Sequence, residues 1–175
     1  MSAGDEARMR AEEAFDQYHI AVFRYLYRMT RRPEVAEELA QECFVELLRH
    51  AGRFDERRGT MKNYLFSIAR NLALHHLRDE RDWEELDEEQ EPPGLTVRHG
   101  MDPGVSFAVG LAVAGLPALQ REALVLFQYE GFSLEEIATL GGVEVGTVKS
   151  RLFRAREALK KSLAPYQGRC IDERR

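Results

Sequence analysis

The chain is 175 residues long, 44% apolar and 31% charged, with 25 Lys and Arg against 30 Asp and Glu for a formal net charge of −5. That apolar share excludes a wholly disordered chain, and the length suits one domain or two small ones. Two cysteines, Cys43 and Cys170, make neither a disulfide framework nor a zinc spacing, which fits a reducing compartment.

The opening MSAGDEARMRAEEAF is charged and lacks the apolar centre of a signal peptide. Phe15, Tyr18, Val22, Leu26 and Met29 then recur at three- and four-residue steps, one face of a helix. Pro33 favours a break, and a second helix follows with Leu39, Cys43, Phe44, Leu47 and Leu48 on one side. Gly52 and Gly59 bracket a polar loop, FDERR. A third helix is predicted from Thr60 to about Arg81, burying Leu65, Ile68, Leu72 and Leu77. From Asp82 to Gly104 periodicity disappears among acids, prolines and glycines, the composition of a flexible linker. A helix over Val105–Ala114 comes next, then one after Pro117 through Leu119, Ala123, Leu126 and Phe127. Its neighbouring run, Val105 to Leu119, is too short to span a bilayer, which takes about 20 residues, so no membrane insertion is expected and the chain reads as cytoplasmic. Ser133 caps a short helix with Glu136 as its capping-box partner, and Gly141-Gly142 closes it. The last helix runs from about Val145 to Leu163 with Val148, Leu152, Ala155 and Leu159 inward. The predicted fold is therefore all-α: a helical domain over 1–81, an acidic linker over 82–104, a second helical domain over 105–166 and a tail over 167–175.

The average charge conceals two opposite segments. Residues 79–91 hold nine acids and one Arg, net −8, which leaves the rest of the chain at +3. Residues 145–161 hold six bases and one acid, net +5. The span from Ser133 to Ala164 has the grammar of a helix-turn-helix, a short helix, a glycine-containing turn and a second helix. On a wheel centred on Val148, Gly146, Ser150 and Phe153 face away from the apolar stripe, flanked by Lys149 and Arg154, with Thr147 near the helix start. A DNA ligand would use each: glycine for close backbone approach, the cations for phosphates or guanine edges, the hydroxyls for base edges, Phe153 for a thymine methyl.

The stretch EGFSLEEIATLGGVEVGTVKSRLFRAREALKK resembles the −35-binding region of the extracytoplasmic-function sigma factors, promoter-specificity subunits of bacterial RNA polymerase. LPALQREALVLFQYEGFS resembles the start of that region, VAEELAQECFVELLRH the family's polymerase-binding helix, and GTMKNYLFSIARNLALHHLRDER its −10 segment. The matches occur in order over roughly residues 15–165. The resemblance implies a sigma region 2-like bundle over 1–81 that binds core polymerase and the −10 element, and a sigma region 4-like helix-turn-helix over 105–166 that binds the −35 element.

By matching position, the −35 readers would be Gly146, Thr147, Lys149, Ser150, Phe153 and Arg154. The −10 element would meet Arg57, Arg58, Gly59, Thr60, Lys62 and Asn63 in and after the loop, and Arg70 and Asn71 on the helix. Glu37, Glu38, Leu39, Gln41, Glu42 and Phe44 would lie on or behind the surface docking the polymerase. The implied partners are core RNA polymerase and promoter DNA, with an anti-sigma factor as a further partner of many relatives. Four departures stand out: Tyr64 where the family usually has Trp, Gly141 for Leu, Glu144 for Pro, and Lys149 for Arg, which loses bidentate reach to guanine.

Other readings fit less of the chain. No nucleophile–base set and no phosphate loop is present, so the chain reads as a factor and not an enzyme, without cofactor or metal. His75 and His76 point about 100° apart on a helix and cannot easily face one ion. A sigma-like decoy that binds an anti-sigma factor without binding DNA is the alternative; it would have no use for the stripe of Lys149, Ser150, Phe153 and Arg154. A dimeric repressor would need a heptad seam that the first half lacks.

Overall fold

A computed structural model describes residues 3–50, 52, 54–83 and 103–166 of the chain. Its elements in order are α1 (Ala3–Thr30), α2 (Pro33–Arg49), α3 (Met61–Trp83), α4 (Pro103–Ala114), α5 (Ala118–Gln128), α6 (Leu134–Gly141) and α7 (Val145–Ser162), with short 3-10 turns at Glu56–Arg58 and Ala164–Tyr166. No strand occurs among the described residues. The chain divides into two compact units, Met1–Glu89 and Gln90–Arg175. The linker predicted over 82–104 lies outside the described residues except where α3 continues through Trp83 and α4 starts at Pro103; the tail over 167–175 lies outside them entirely.

In the first unit α1 turns back into α2 across two residues. Thr30 Oγ1 donates to Leu26 O at 2.9 Å and finishes the helix from inside. Arg31 takes a left-handed φ of 66° and Arg32 is extended, as a residue before proline must be. Pro33 then occupies the first turn of α2, where its missing N–H costs nothing. Phe15 meets the Phe44 ring edge-on at 4.9 Å, so the far ends of the hairpin touch. α3 packs on both helices: Tyr25 and Phe66 cross at 5.4 Å and 61°, and the Cys43 thiol donates to Leu65 O at 3.6 Å. Val22, Tyr25, Leu26, Met29, Cys43, Leu47, Leu65 and Phe66 are fully buried. Each such large apolar side chain contributes about 1.5–3 kcal/mol relative to exposure.

The buried face of α3 differs from the prediction. Leu65, Phe66, Ala69 and Ala73 are inside, while Ile68, Leu72 and Leu77 are half-buried. Two small alanines thus complete the buried line of α3, and the larger Ile68, Leu72 and Leu77 fall to its rim. Phe15, at 47% exposure, and Leu48, at 52%, also leave the core.

The second unit is built around α5 and α7. Ala123, Leu124, Val125 and Leu126 of α5 are buried with Val148, Leu152 and Ala155 of α7, whereas Leu119 is exposed. Arg121 Nη2 donates to the Ala114 and Leu116 carbonyls, closing the C-terminal end of α4. α6 is capped at both ends. Ser133 Oγ accepts from Glu136 N at 3.1 Å, and Glu136 Oε2 accepts from Ser133 N at 2.8 Å, the predicted capping box. Gly142 sits at φ 60° and Val143 N–H returns to Ala138 O at 3.0 Å. Only three residues, Gly142 to Glu144, then separate α6 from α7, the short glycine-containing turn of a helix-turn-helix.

Candidate nucleic-acid interface

α7 presents the outward stripe. With Val148, Leu152 and Ala155 turned inward, Gly146, Thr147, Lys149, Ser150, Phe153 and Arg154 are all exposed, Phe153 to 66%. Ser150 Oγ donates to Gly146 O at 3.0 Å. Its proton is thus engaged in the helix and its lone pairs face outward as acceptors. A Cβ built on Gly146 would meet no atom within 4 Å. The stripe is a cationic surface with an acceptor and one aromatic body at its middle.

A second feature forms where the chain enters α3. Asp55 Oδ1 accepts from Arg57 N at 3.0 Å and winds Glu56–Arg58 into a 3-10 turn. Gly59 leaves it at φ 154°, a conformation that favours glycine, and Thr60 Oγ1 accepts from Asn63 N at 3.2 Å to start the helix. The result is an open cleft of about 590 Å³ lined by Phe54, Glu56, Arg57, Gly59, Thr60 and Met61. Phe54 is held against Tyr64, ring centroids 5.5 Å apart. Of the residues expected at the −10 site, the cleft gathers Arg57, Gly59 and Thr60. Lys62, Asn63, Arg70 and Asn71 are not in its lining: Lys62 Nζ lies 5.9 Å from the Phe66 centroid, and Asn71 is exposed further along α3. The Arg58 side chain lies outside the described residues. Sequence reasoning missed Phe54, Glu56 and Met61. The aromatic in FDERR was a usable signal for Phe54, since an exposed loop seldom needs a ring; nothing in the pattern marked Glu56.

α2 gives a third surface. Glu37, Glu38, Gln41 and Glu42 are exposed on one side, while Leu39 and Phe44 are each 8% exposed and sit behind it in the core. Val45 and Leu48, both exposed, lie on the same side as the acids. Near the middle of α2 burial pushes the Cys43 thiol up to about 12, aided by Glu42 and opposed by a backbone hydrogen bond from Ala69. His75 Nδ1 pairs with Asp79 at 2.9 Å on the surface of α3. Among the described residues, no helix is long and apolar enough to cross a membrane.

Comparison with known proteins follows the same division. The Sigma-70 region 2 family model matches residues 14–83, and the Sigma-70 region 4 family model matches 106–159. The ECF RNA polymerase sigma factor SigE of Mycolicibacterium smegmatis is 31% identical over 95% of this chain and 67% of its own length. The RNA polymerase sigma-H factor of Pseudomonas aeruginosa is 32% identical over 88% of each chain. The ECF RNA polymerase sigma factor SigW of Bacillus subtilis is 32% identical over 85% of this chain and 86% of its own. Among solved structures, the sigma factor RpoE in complex with the anti-sigma factor NepR from Bartonella quintana superposes with a TM-score of 0.74 at 25% identity, covering 93% of this chain and 98% of that one. CnrH in complex with the cytosolic domain of CnrY shares the fold, with a TM-score of 0.67 at 20% identity over 93% and 96% of the two chains.

Proposed function

The chain belongs to the extracytoplasmic-function sigma factors, transcription initiation factors and not enzymes, and we propose that it carries core RNA polymerase to promoters by reading a −35 element with α7 and holding an unpaired −10 base in the cleft before α3. The observation that carries this reading is the exposed stripe of α7, in which four chemically different contact groups leave the protein on one side. Lys149 and Arg154 neutralise phosphates or reach guanine edges. Ser150 offers an acceptor to a base amino group, and Phe153 an apolar surface to a thymine methyl. Gly146 and Thr147 bring the helix start close to the backbone, where its amide groups favour an anion.

Opening the duplex requires a base to leave the stack, which costs a few kcal/mol. Stacking on an aromatic ring returns about 1–3 kcal/mol per base. Phe54 is the ring available in the cleft, with Arg57 beside it for the backbone of the freed strand and Gly59 and Thr60 shaping the wall. Arg58, Lys62, Asn63, Arg70 and Asn71 flank this segment in sequence and serve the strand beyond the base. Core polymerase docks on the exposed side of α2, with Glu37, Glu38, Gln41 and Glu42 meeting it and Leu39 and Phe44 supporting them from below. Bartonella RpoE is held by an anti-sigma factor; a partner of that kind is proposed here too, acting in the cytoplasm.

The test is run-off transcription with purified core polymerase and a library of promoter fragments. Initiation from discrete sites that share a −35 and a −10 sequence is the expected result. A folded protein that binds an anti-sigma factor yet starts transcription nowhere would replace this reading with a decoy.

A further inference from the structure

α1 carries a second cationic surface that none of the interfaces above uses. Its inward side is Val22, Tyr25, Leu26 and Met29, all fully buried. With about 100° per residue, Ile20, Phe23, Arg24, Tyr27 and Arg28 fall within a wedge of about 140° on the opposite side, and Arg31 extends it just past the helix end. Ile20 and Arg24 are exposed; the others are half-buried. The Phe23 and Tyr27 rings lie nearly parallel, 6.2 Å apart at 12°. Burial raises the Tyr27 phenol and the Arg31 charge pulls it back, so the guanidinium and the ring are neighbours.

Arg31 is the anomaly. Among the described residues it alone, glycines aside, has a positive φ. Its N–H closes on Tyr27 O at 2.8 Å, the geometry of a helix end where glycine is the usual occupant. An L side chain is strained there, yet the chain keeps a guanidinium. The strained residue thus carries its charge beside the Tyr27 ring, on the side of α1 that Arg24 and Arg28 share.

We propose that this surface takes a short run of single-stranded nucleic acid, its phosphates along Arg24, Arg28 and Arg31 and a base against the Phe23–Tyr27 rings. Arg24 and Arg28 are about 6 Å apart along the axis, and Arg28 and Arg31 about 4.5 Å, a row that can follow successive phosphates. Guanidinium groups beside aromatic faces are the common chemistry of strand binding. The patch is about 16 Å long from Ile20 to Arg31. Exposed carboxylates fence it, Glu12, Glu13 and Asp16 before and Glu34, Glu37 and Glu38 after. An anionic bilayer would meet those carboxylates, and an acidic protein surface would leave the rings unused. None of Ile20, Phe23, Arg24, Tyr27, Arg28 and Arg31 belongs to the −35, −10 or polymerase-docking sets, although Glu37 and Glu38 of the fence belong to the last, so the proposal is tested on the arginines and rings alone.

The test is fluorescence anisotropy of labelled oligo(dT) and oligo(rU), each of about ten nucleotides, with the full chain between about 50 and about 200 mM salt. Each phosphate contact to a single strand contributes about 0.7 to the slope of log K against log salt, so the double variant Arg24→Gln, Arg31→Gln flattens it by about 1.4. Phe23→Leu keeps the apolar bulk and loses the stack, weakening binding about fivefold or more. Arg31→Gly separates charge from fold: relieving the backbone raises the thermal midpoint by about 4 °C, while affinity for the strand falls. Binding that the double variant and Phe23→Leu weaken supports the proposal, since the cleft before α3 is untouched in both, and the oligonucleotide preferred identifies the source of the strand. An unchanged salt slope in the double variant overturns it, as does loss of anionic-vesicle or core-polymerase binding with strand binding intact.

Discussion

Replacing Lys149 and Arg154 by alanine puts a number on the role of α7. Both side chains are exposed, and the buried line of the helix is Val148, Leu152 and Ala155. Folding should therefore change by no more than about 0.5 kcal/mol per site, with alanine itself a good helix former. Binding should change in a defined way. Each duplex phosphate neutralised contributes about 0.9 to the slope of log K against log salt, so losing two flattens the slope by about 1.8. Between about 50 and about 200 mM salt the unaltered protein then loses roughly twelvefold more affinity than the variant. The assay is filter binding of the reconstituted holoenzyme to a duplex carrying the −35 region, repeated across salt, beside a thermal melt of each protein. The single variants divide the roles further. A phosphate contact flattens the slope by about 0.9 and acts alike on all sequences, whereas a guanine contact costs about 1–3 kcal/mol at one base pair. An unchanged slope in the double variant, with the fold intact, would refute the assignment of α7 to DNA.

Three further outcomes follow from the same framework. Ser133→Ala removes the acceptor for Glu136 N and should destabilise the second unit by about 1 kcal/mol, lowering its thermal midpoint by about 4–8 °C; an unmoved melt would mean that the capping box contributes nothing. Gly142→Ala places a side chain at φ 60° in otherwise open space, so the cost is backbone strain alone, about 1–2 kcal/mol by chemical denaturation, and Gly142→Asn should recover part of it. Cys43, its thiol pushed up to about 12 from an ordinary 9.0 by burial, should resist Ellman's reagent at about pH 8 in a Cys170→Ser background. The sign is that of a folded-state value raised above the unfolded one: the thiol's contribution to stability is complete below about pH 9 and lost as pH rises towards 12. Prompt stoichiometric labelling of the native protein would contradict the burial.

How far the sequence could be read depended on which signal an element uses. α6 and α7 were legible almost to the residue, because Ser133, Glu136, Gly142 and the step Val148–Leu152–Ala155 each have a local physical meaning. The bundle of α1 to α3 was legible as helices and less so as packing. Periodicity identifies an apolar stripe but not how wide a neighbour covers it. Phe15, Leu48 and Leu119 fit their stripes and still end at the rim, while Ala69 and Ala73, too small to register as core, are fully buried on α3. The cleft before α3 was half legible. Arg57, Gly59 and Thr60 announced a turn, but its wall also needs Phe54 fixed on Tyr64 and Met61 from the helix start. Those are tertiary relations that spacing does not encode. The surface of α1 carries no signal in the spacing of its arginines; it is the backbone angle of Arg31 that sets one of them apart.

Two residues of α7 act against the interest of the fold, and they separate a surface kept for a ligand from one that is merely solvated. Phe153 stands 66% exposed, where a side chain of its size would contribute about 1.5–3 kcal/mol if buried. Gly146 lies in the first turn with no positive φ to require it and no atom within 4 Å of an added Cβ. Alanine there should stabilise the helix by up to about 1 kcal/mol. A helix shaped by packing alone has no reason to keep both on the face that also carries Lys149, Ser150 and Arg154. Gly146→Ala is therefore expected to raise the thermal midpoint of the second unit while weakening holoenzyme binding to a promoter duplex, since on the proposed −35 reading the added methyl would stand where the DNA backbone approaches. If the variant melts higher and binds as before, close backbone approach at Gly146 is wrong. If it melts lower, the glycine serves the fold after all, and the case for the stripe returns to Phe153 and the two cations.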